Sequence, residues 1–307
     1  MNVNGVPVED TYCEAFSLYA TRILITAKDS RWALIAARVS TGLGTSVIMC
    51  PGESGLESLV SPKSTPDGRV GALIHIYDRD IPSLKLHTIM RIGQAVLTCP
   101  TTSVFDGLPK VRRRLLVGSA LSKFGDGFEK REEVYGRDMW RIPVMEGEFL
   151  IENSFGLLKG VAGGNILILA KSQEAALNAA ESAVREVRRN ARNVILPFPG
   201  GIVRSGSKVG SLKYLKLGAT TNHKYCPTLR DQVDDTALPP EVKSVYEIVI
   251  NGLRVEYVKR AVGFAILGAT KVPGVVKIDA GNYGGKLGQY KIDLHDAVEM
   301  ARGLKEI

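Results

Sequence analysis

Three short stretches hold the residues whose types and spacing could do chemistry. VYEIVING, Val245–Gly252, is an apolar, β-branched run whose only charge is Glu247. In a strand the side chains alternate, so Val245, Glu247 and Val249 share one face. A carboxyl between two valines loses hydration, and desolvation raises its pKa. Such a group can stay protonated near neutral pH and donate to a developing oxyanion, or take a proton from an amine. A glutamate solvated on the open face of a one-sided sheet fits the same residues.

The other two stretches are glycine-rich and basic. PFPGGIVRSGSKVGS, Pro197–Ser211, offers Gly200, Gly201, Arg204, Ser205, Ser207 and Lys208. GNYGGKLG, Gly281–Gly288, offers Tyr283 and Lys286. A Walker loop needs GxxxxGK[ST], and a dinucleotide fingerprint needs GxGxxG between a strand and its helix. Neither stretch has the spacing, and TGLGTS, Thr41–Ser46, carries GxG only and follows a helix pattern. Nucleotide binding is therefore a poor fit. Some of these glycines serve turns that need positive φ. Backbone, hydroxyls and cations clustered together suggest close approach to the polar end of a ligand, so these residues are the candidate binding set. His223, in a long insertion, joins them. His75, inside the strand-like GALIHIYD, reads as a core histidine. Glu53 and Glu57, four apart in PGESGLE at an expected helix start, read as surface carboxylates favoured by the helix dipole.

These residues need elements to position them. RILITAK (Arg22–Lys28) reads as a strand, with Ser30 as N-cap of a helix carrying Trp32, Ile35, Ala36 and Val39 at helical spacing. Gly42 stands where that helix should end. TSVIMC (Thr45–Cys50) reads as the returning strand. VGALIHIYD, a helix over about 82–93 and AVLTCP repeat the pattern. In the second half NILILA, a helix capped by Ser172, VILPFP, VYEIVING, a helix from Val255 and VVKIDAG repeat it again. Strand–helix–strand units in tandem predict an α+β chain of two ferredoxin-like, split β-α-β lobes. The boundary falls near Met145, giving an N-terminal lobe over 1–145 and a C-terminal lobe over 146–307, with a long insertion at about 204–243.

At 307 residues and 45% hydrophobic content, the chain can bury a sizeable core without staples. It shows no apolar run of membrane-spanning length and no signal peptide, so no membrane association is expected. None of its four cysteines forms a CxxC, so no metal is expected and a reducing, cytoplasmic setting is. A net charge of +8 favours an anionic partner. The basic residues are dispersed apart from KVRRR at Lys110–Arg114, and no aromatic-studded RNA-binding strand is present, so nucleic acid is not the expected one.

In order along the chain stand NGVPVEDTYCEAF, TGLGTSVIMCPGESGLE, TPDGR, RIGQAVLTCPT, GDGFE, RIPVMEGEF, VAGGN, PFPGGIVRSGSKVGS, CPTL, VYEIVI and AGNYGGKLG. Together they closely resemble the formylmethanofuran:tetrahydromethanopterin formyltransferase family, nearly end to end. RSGSKVGS, CPTL and RIPVMEGEF look more like the bacterial form, the formyltransferase component of the formyltransferase/hydrolase complex. The resemblance implies an acyltransferase of one-carbon metabolism that moves a formyl group between N5 of a tetrahydromethanopterin and the amine of methanofuran or methylofuran, using neither metal nor nucleotide. It implies distal and proximal ferredoxin-like lobes, a homotetramer, and a cleft bordered by more than one subunit. It implies Glu247 as the catalytic acid and, in the bacterial form, a polyglutamate tail on a furan cofactor shared with partner subunits. A non-catalytic scaffold subunit holding the furan cofactor is the alternative. CPGESG stands where the family commonly has CPAEAG, and Gly93-Gln94-Ala95 where it often has GQC, so no essential thiol sits there.

Overall fold

The structure is a computed structural model and describes residues 1–303. Residues 304–307, the end of the expected C-terminal lobe, lie outside the described residues. Contacts divide the chain into two compact units, Leu18–Gly160 and a second made of Met1–Ser17 with the chain from Val161 onward.

The first unit is built on β1 (Tyr12–Ala27, from Leu18), α1 (Ser30–Thr41), β2 (Glu53–Val60), β3 (Val70–Asp78), α2 (Ile81–Arg91) and β4 (Ser103–Asp106). The strands lie in the order β4-β1-β3-β2, every pair antiparallel. Ile23, Ile25, Ile74, Ile76 and Val104 turn one face of the sheet to Ala33, Ala36 and Ala37 of α1 and Leu84 of α2. An arm follows: β5 (Lys130–Val134), β6 (Arg137–Val144) and β7 (Gly147–Glu152), with β7 set parallel to β4.

Several local expectations for this unit are corrected. Asp29, not Ser30, caps α1, its side chain accepting from the Trp32 N–H. TSVIMC forms turns rather than a strand, and its Met49 is 84% exposed. The returning strand is β2, so PGESGLE opens a strand and not a helix. AVLTCP is no strand either. The helix widens after Arg91 into a π turn over Ile92–Val96, which buries Ile92 and Val96 and uses up the apolar run.

The second unit repeats the plan with β8 (Leu158–Ala170, from Val161), α3 (Gln173–Asn190), β9 (Val194–Ile195), β12 (Ser244–Gly252), α4 (Val255–Ala269) and β13 (Val275–Asp279). The order is β13-β8-β12-β9, again antiparallel throughout, and VILPFP supplies only the two residues of β9. Ser172 caps α3, accepting from the Ala175 N–H. Ala179, Ala180, Ala183, Val184 and Val187 pack with Val258, Ala261, Val262 and Ile266 over the sheet. Between β9 and β12 lies the insertion, with a small hairpin of β10 (Ser207–Val209) and β11 (Ala219–Thr221). Last come β14 (Tyr290–Asp293) and α5 (Leu294–Gly303). β14 pairs with Tyr12–Ala15 of β1, which is why the first seventeen residues belong to this unit.

Candidate active site

β12 alternates as its sequence predicts. Ile248 and Ile250 enter the core under the helices, and Glu247 points from the opposite face. On one side Glu247 pairs in register with Leu167 of β8. On the other its backbone is bridged to Val203, at the start of the insertion, by Val203 N–H to Glu247 O at 2.8 Å and Glu247 N–H to Val203 O at 2.9 Å. Glu247 is half-buried, and loss of hydration pushes its carboxyl up to about 7.

Two titratable side chains feel that carboxylate. Tyr283 is half-buried; burial raises its phenol, the Glu247 charge adds to this, and a hydrogen bond with the Val209 backbone opposes it. Cys13 is fully buried, and burial pushes its thiol up to about 12, with the Glu247 charge adding to the rise. The two glycine-rich stretches thus meet at Tyr283 of the second and the Val209 backbone of the first.

The glycine-rich loop from Gly281 to Gly288 is not an empty anion cradle. It is folded around the chain's own Glu14, which is 1% exposed. Glu14 Oε1 accepts from the N–H groups of Tyr283 (2.5 Å) and Gly285 (2.7 Å), and Oε2 from those of Leu287 (2.9 Å) and Gly288 (2.7 Å). Burial works to raise the Glu14 pKa, but these four donors outweigh it and hold the group at about 2. Asn165 secures the start of the loop, its Oδ1 accepting from the Gly281 N–H at 2.7 Å.

The remaining candidates divide. Arg204 and Ser205 are exposed between the Val203 bridge and β10, and Ser207 is exposed as the first residue of β10. Lys208 donates to the Thr220 hydroxyl at 2.6 Å, across the hairpin. Gly200 carries positive φ in the turn after β9, and its carbonyl accepts from Arg188. Gly201 is buried, and a side chain there would meet Leu196 and Val184, so packing on α3 accounts for it. His223 is held by Asp235 at 3.2 Å, which also binds Lys224 at 3.0 Å. Lys286 is exposed at the loop.

In the other unit, Glu57 is no surface carboxylate. It sits at a bulge in β2, its side chain 2% exposed, gripped by Arg22 through bonds of 2.7 and 2.8 Å. Burial depresses the His75 pKa, so its ring is neutral, donating from Nε2 to Glu57 (2.7 Å) and accepting at Nδ1 from Tyr77 (2.9 Å). Burial raises Glu57, yet His75 and Arg22 prevail and hold it at about 2. Glu53 accepts from the Val47 N–H, bracing the turn.

Sequence reasoning missed Glu14, Asn165 and Cys13. Glu14 carries the signal that singled out Glu247, a lone acid in an apolar run, here CEAF. Among the described residues no three His, Cys, Asp or Glu gather as a metal site, and no helix is long and apolar enough to cross a membrane.

A half-buried carboxyl raised toward neutrality thus lies on the sheet face away from the helices of a mixed α/β fold, with exposed Arg204 next to its Val203 bridge. Known proteins give the family. Residues 1–144 match the family formylmethanofuran-tetrahydromethanopterin formyltransferase, and residues 147–297 match its proximal lobe. The enzyme of that name from Archaeoglobus fulgidus is 53% identical over 96% of this chain and 99% of its own, and that from Methanocaldococcus jannaschii is 52% identical over 97% and 100%. The solved formyltransferase of Methanosarcina barkeri superposes with a TM-score of 0.93 at 50% identity, covering 97% of this chain and all of its own. A chain of the formyltransferase/hydrolase complex from Methylorubrum extorquens, solved with methylofuran, gives 0.92 at 43%, covering 97% and 98%. The chain belongs to the formylmethanofuran–tetrahydromethanopterin formyltransferase family. Its identity to the enzymes of Archaeoglobus fulgidus, Methanocaldococcus jannaschii and Methanosarcina barkeri, 50–53%, exceeds the 43% to the chain from Methylorubrum extorquens.

Proposed function

We propose that this chain transfers a formyl group between N5 of a tetrahydromethanopterin and the amine of methanofuran or methylofuran, with Glu247 as the acid–base group. The observation that carries the proposal is Glu247, desolvated on the sheet face away from the helices and bridged to the segment that carries Arg204. The accepting nitrogen attacks the formyl carbon, a C–N bond forms, and the carbonyl electrons move onto oxygen. Collapse of the tetrahedral adduct breaks the other C–N bond. Glu247 enters protonated, gives its proton to the departing nitrogen and is reprotonated by the one that attacked. Tyr283, on the glycine-rich loop, is read as the donor to the oxyanion. Gly200, Arg204, Ser205, Ser207, Lys208 and Lys286 are read as the rim that meets the cofactors, with His223 behind it.

Each unit is read as a ferredoxin-like lobe; the shared 4-1-3-2 strand order supports this, and the family matches support lobes meeting near residue 145. A homotetramer of the family type is proposed to cover Ile35 and Val39 of α1 and Leu86 and Met90 of α2, which are exposed. Partner subunits, as in the bacterial complex, would be additional. Free cysteines support a reducing cytoplasm as its home.

The test is formyl transfer by the purified chain with both cofactors. Glu247→Gln keeps shape but cannot titrate, and is expected to cut kcat by about 10²-fold or more. Native-like turnover by that variant would remove Glu247 from the mechanism. No turnover by the native chain would favour a scaffold.

A further inference from the structure

The Gly281–Gly288 loop has neither helix nor strand between Asp279 and Tyr290. Its order rests on side chains. Asn165 takes the Gly281 N–H, Asn282 reaches Thr11 at 2.8 Å, and Glu14 takes four N–H groups. A buried carboxylate is costly unless its lone pairs are met, and here the amides of one loop meet them. The fit is close: a Cβ at Gly288 would lie 2.7 Å from the Glu14 Cβ and 2.9 Å from the Ala15 backbone. The loop begins on the acid's face of the sheet: Asn165, whose Oδ1 takes the Gly281 N–H, pairs with Val249, two residues along β12 from Glu247 and on its face, and the first amide in the Glu14 set is that of Tyr283. The loop that Glu14 organises therefore starts on the face of the sheet that carries Glu247, and it carries Tyr283.

We propose that Glu14 is a positioning residue for the transfer reaction: by gathering the backbone of Tyr283–Gly288 it holds the Tyr283 hydroxyl beside Glu247 and keeps the acid under cover. This rests on the reading of Glu247 as the acid. Around Glu247 the titratable groups that sense it are Tyr283 from the loop and Cys13 from β1. Around Glu14 stand Tyr283, and Lys291 opposite it on β14, whose ammonium lies over the Tyr12 ring. Loosening the loop admits water to Glu247, which lowers its pKa toward the ordinary carboxylate value.

The experiment compares the full chain with Glu14→Gln, Glu14→Asp and Glu247→Gln, measuring kcat against pH and the hydrogen exchange of the loop amides. Glu14→Gln takes the charge from the acceptor and makes one of its ends a donor. It is expected to speed exchange at Tyr283, Gly285, Leu287 and Gly288, to lower kcat by roughly tenfold or more, and to move the pH at which kcat falls down by about one unit. Glu14→Asp, which keeps the charge but withdraws it by one methylene, should do the same to a smaller degree and serves if the glutamine variant does not fold. A merely structural role changes the folded fraction and leaves the pH profile of folded enzyme in place. If Glu247→Gln is inactive and both Glu14 variants keep the native profile, the inference falls and the acid stands. If Glu247→Gln turns over normally, the acid assignment falls and this inference with it.

Discussion

Val203 and Glu247 exchange two backbone hydrogen bonds, 2.8 Å in one direction and 2.9 Å in the other. The strand carrying the acid and the segment carrying Arg204 are thus one hydrogen-bonded unit. Val203→Pro removes the N–H that donates to Glu247. It should raise KM for the furan cofactor several-fold and weaken stability by about 1 kcal/mol, the usual net worth of such a bond. Steady-state kinetics and urea melts check this, and unchanged KM would show that the bridge does not place Arg204.

The two perturbed glutamates of this unit predict opposite pH behaviour. Glu247 is raised from 4.5 to about 7, so its contribution to stability is fully present below 4.5 and is lost as pH rises through 7. Glu14 is lowered from 4.5 to about 2, so its contribution is present above 4.5 and is lost as pH falls through 2. The stability gap between native chain and Glu247→Gln should vary only in the upper window. The gap to Glu14→Gln should vary in the lower one and, because that variant also draws the Glu247 pKa down, to a smaller extent in the upper one. With Glu247 acting protonated, as proposed, kcat should fall above pH of about 7. Gaps that stay flat across these windows would discard both assignments.

Glu57→Gln tests the other unit. Removing one partner of a buried, hydrogen-bonded ion pair leaves Arg22 and His75 poorly matched, which costs about 3–5 kcal/mol. A lowered denaturation midpoint is expected, with kcat per folded molecule retained. Loss of kcat in fully folded protein would instead place the network in the reaction.

The fold and site are most legible in the sequence where one residue breaks a strong pattern. Glu247 stands alone in VYEIVI, and the face it occupies follows from the period of two. The repeated strand–helix–strand order is equally plain. The misreadings fall where β-branched composition mimics a strand. TSVIMC has the composition but buries little, and AVLTCP begins inside a π turn that buries Val96 and runs on as turns from Leu97. Glu14 is invisible as a partner of GNYGGKLG because about 270 residues separate them, and nothing in either stretch names the other. Glycine-rich loops read as ligand cradles because the same amides that bind phosphate also bind a carboxylate of the chain itself.

The apolar rows on α1 and α2 predict self-association. Val39 is 62% exposed and Leu86 55%, each one turn from a second exposed apolar residue. Such surfaces are expected to be covered. Val39→Asp with Leu86→Asp should shift sedimentation from tetramer toward smaller species at micromolar concentration. A native chain that sediments as a clean monomer would defeat the prediction outright.

Arg204 and Lys208 are not equivalent, although the sequence presents them alike. The Lys208 ammonium is engaged by Thr220 at 2.6 Å, whereas Arg204 is exposed immediately beyond the Val203 bridge. An anionic tail on the furan cofactor would therefore be drawn chiefly by Arg204. Attraction between exposed charges extends over a Debye length, about 8 Å at physiological salt, and weakens as salt rises. Arg204→Ala should raise KM for a polyglutamylated cofactor more than for a tail-less analogue, and more than Lys208→Ala does. The excess should shrink at high salt while kcat stays near native. Equal losses for both cofactors at every salt concentration would mean that Arg204 meets only the reactive end, and the tail would have to be held elsewhere.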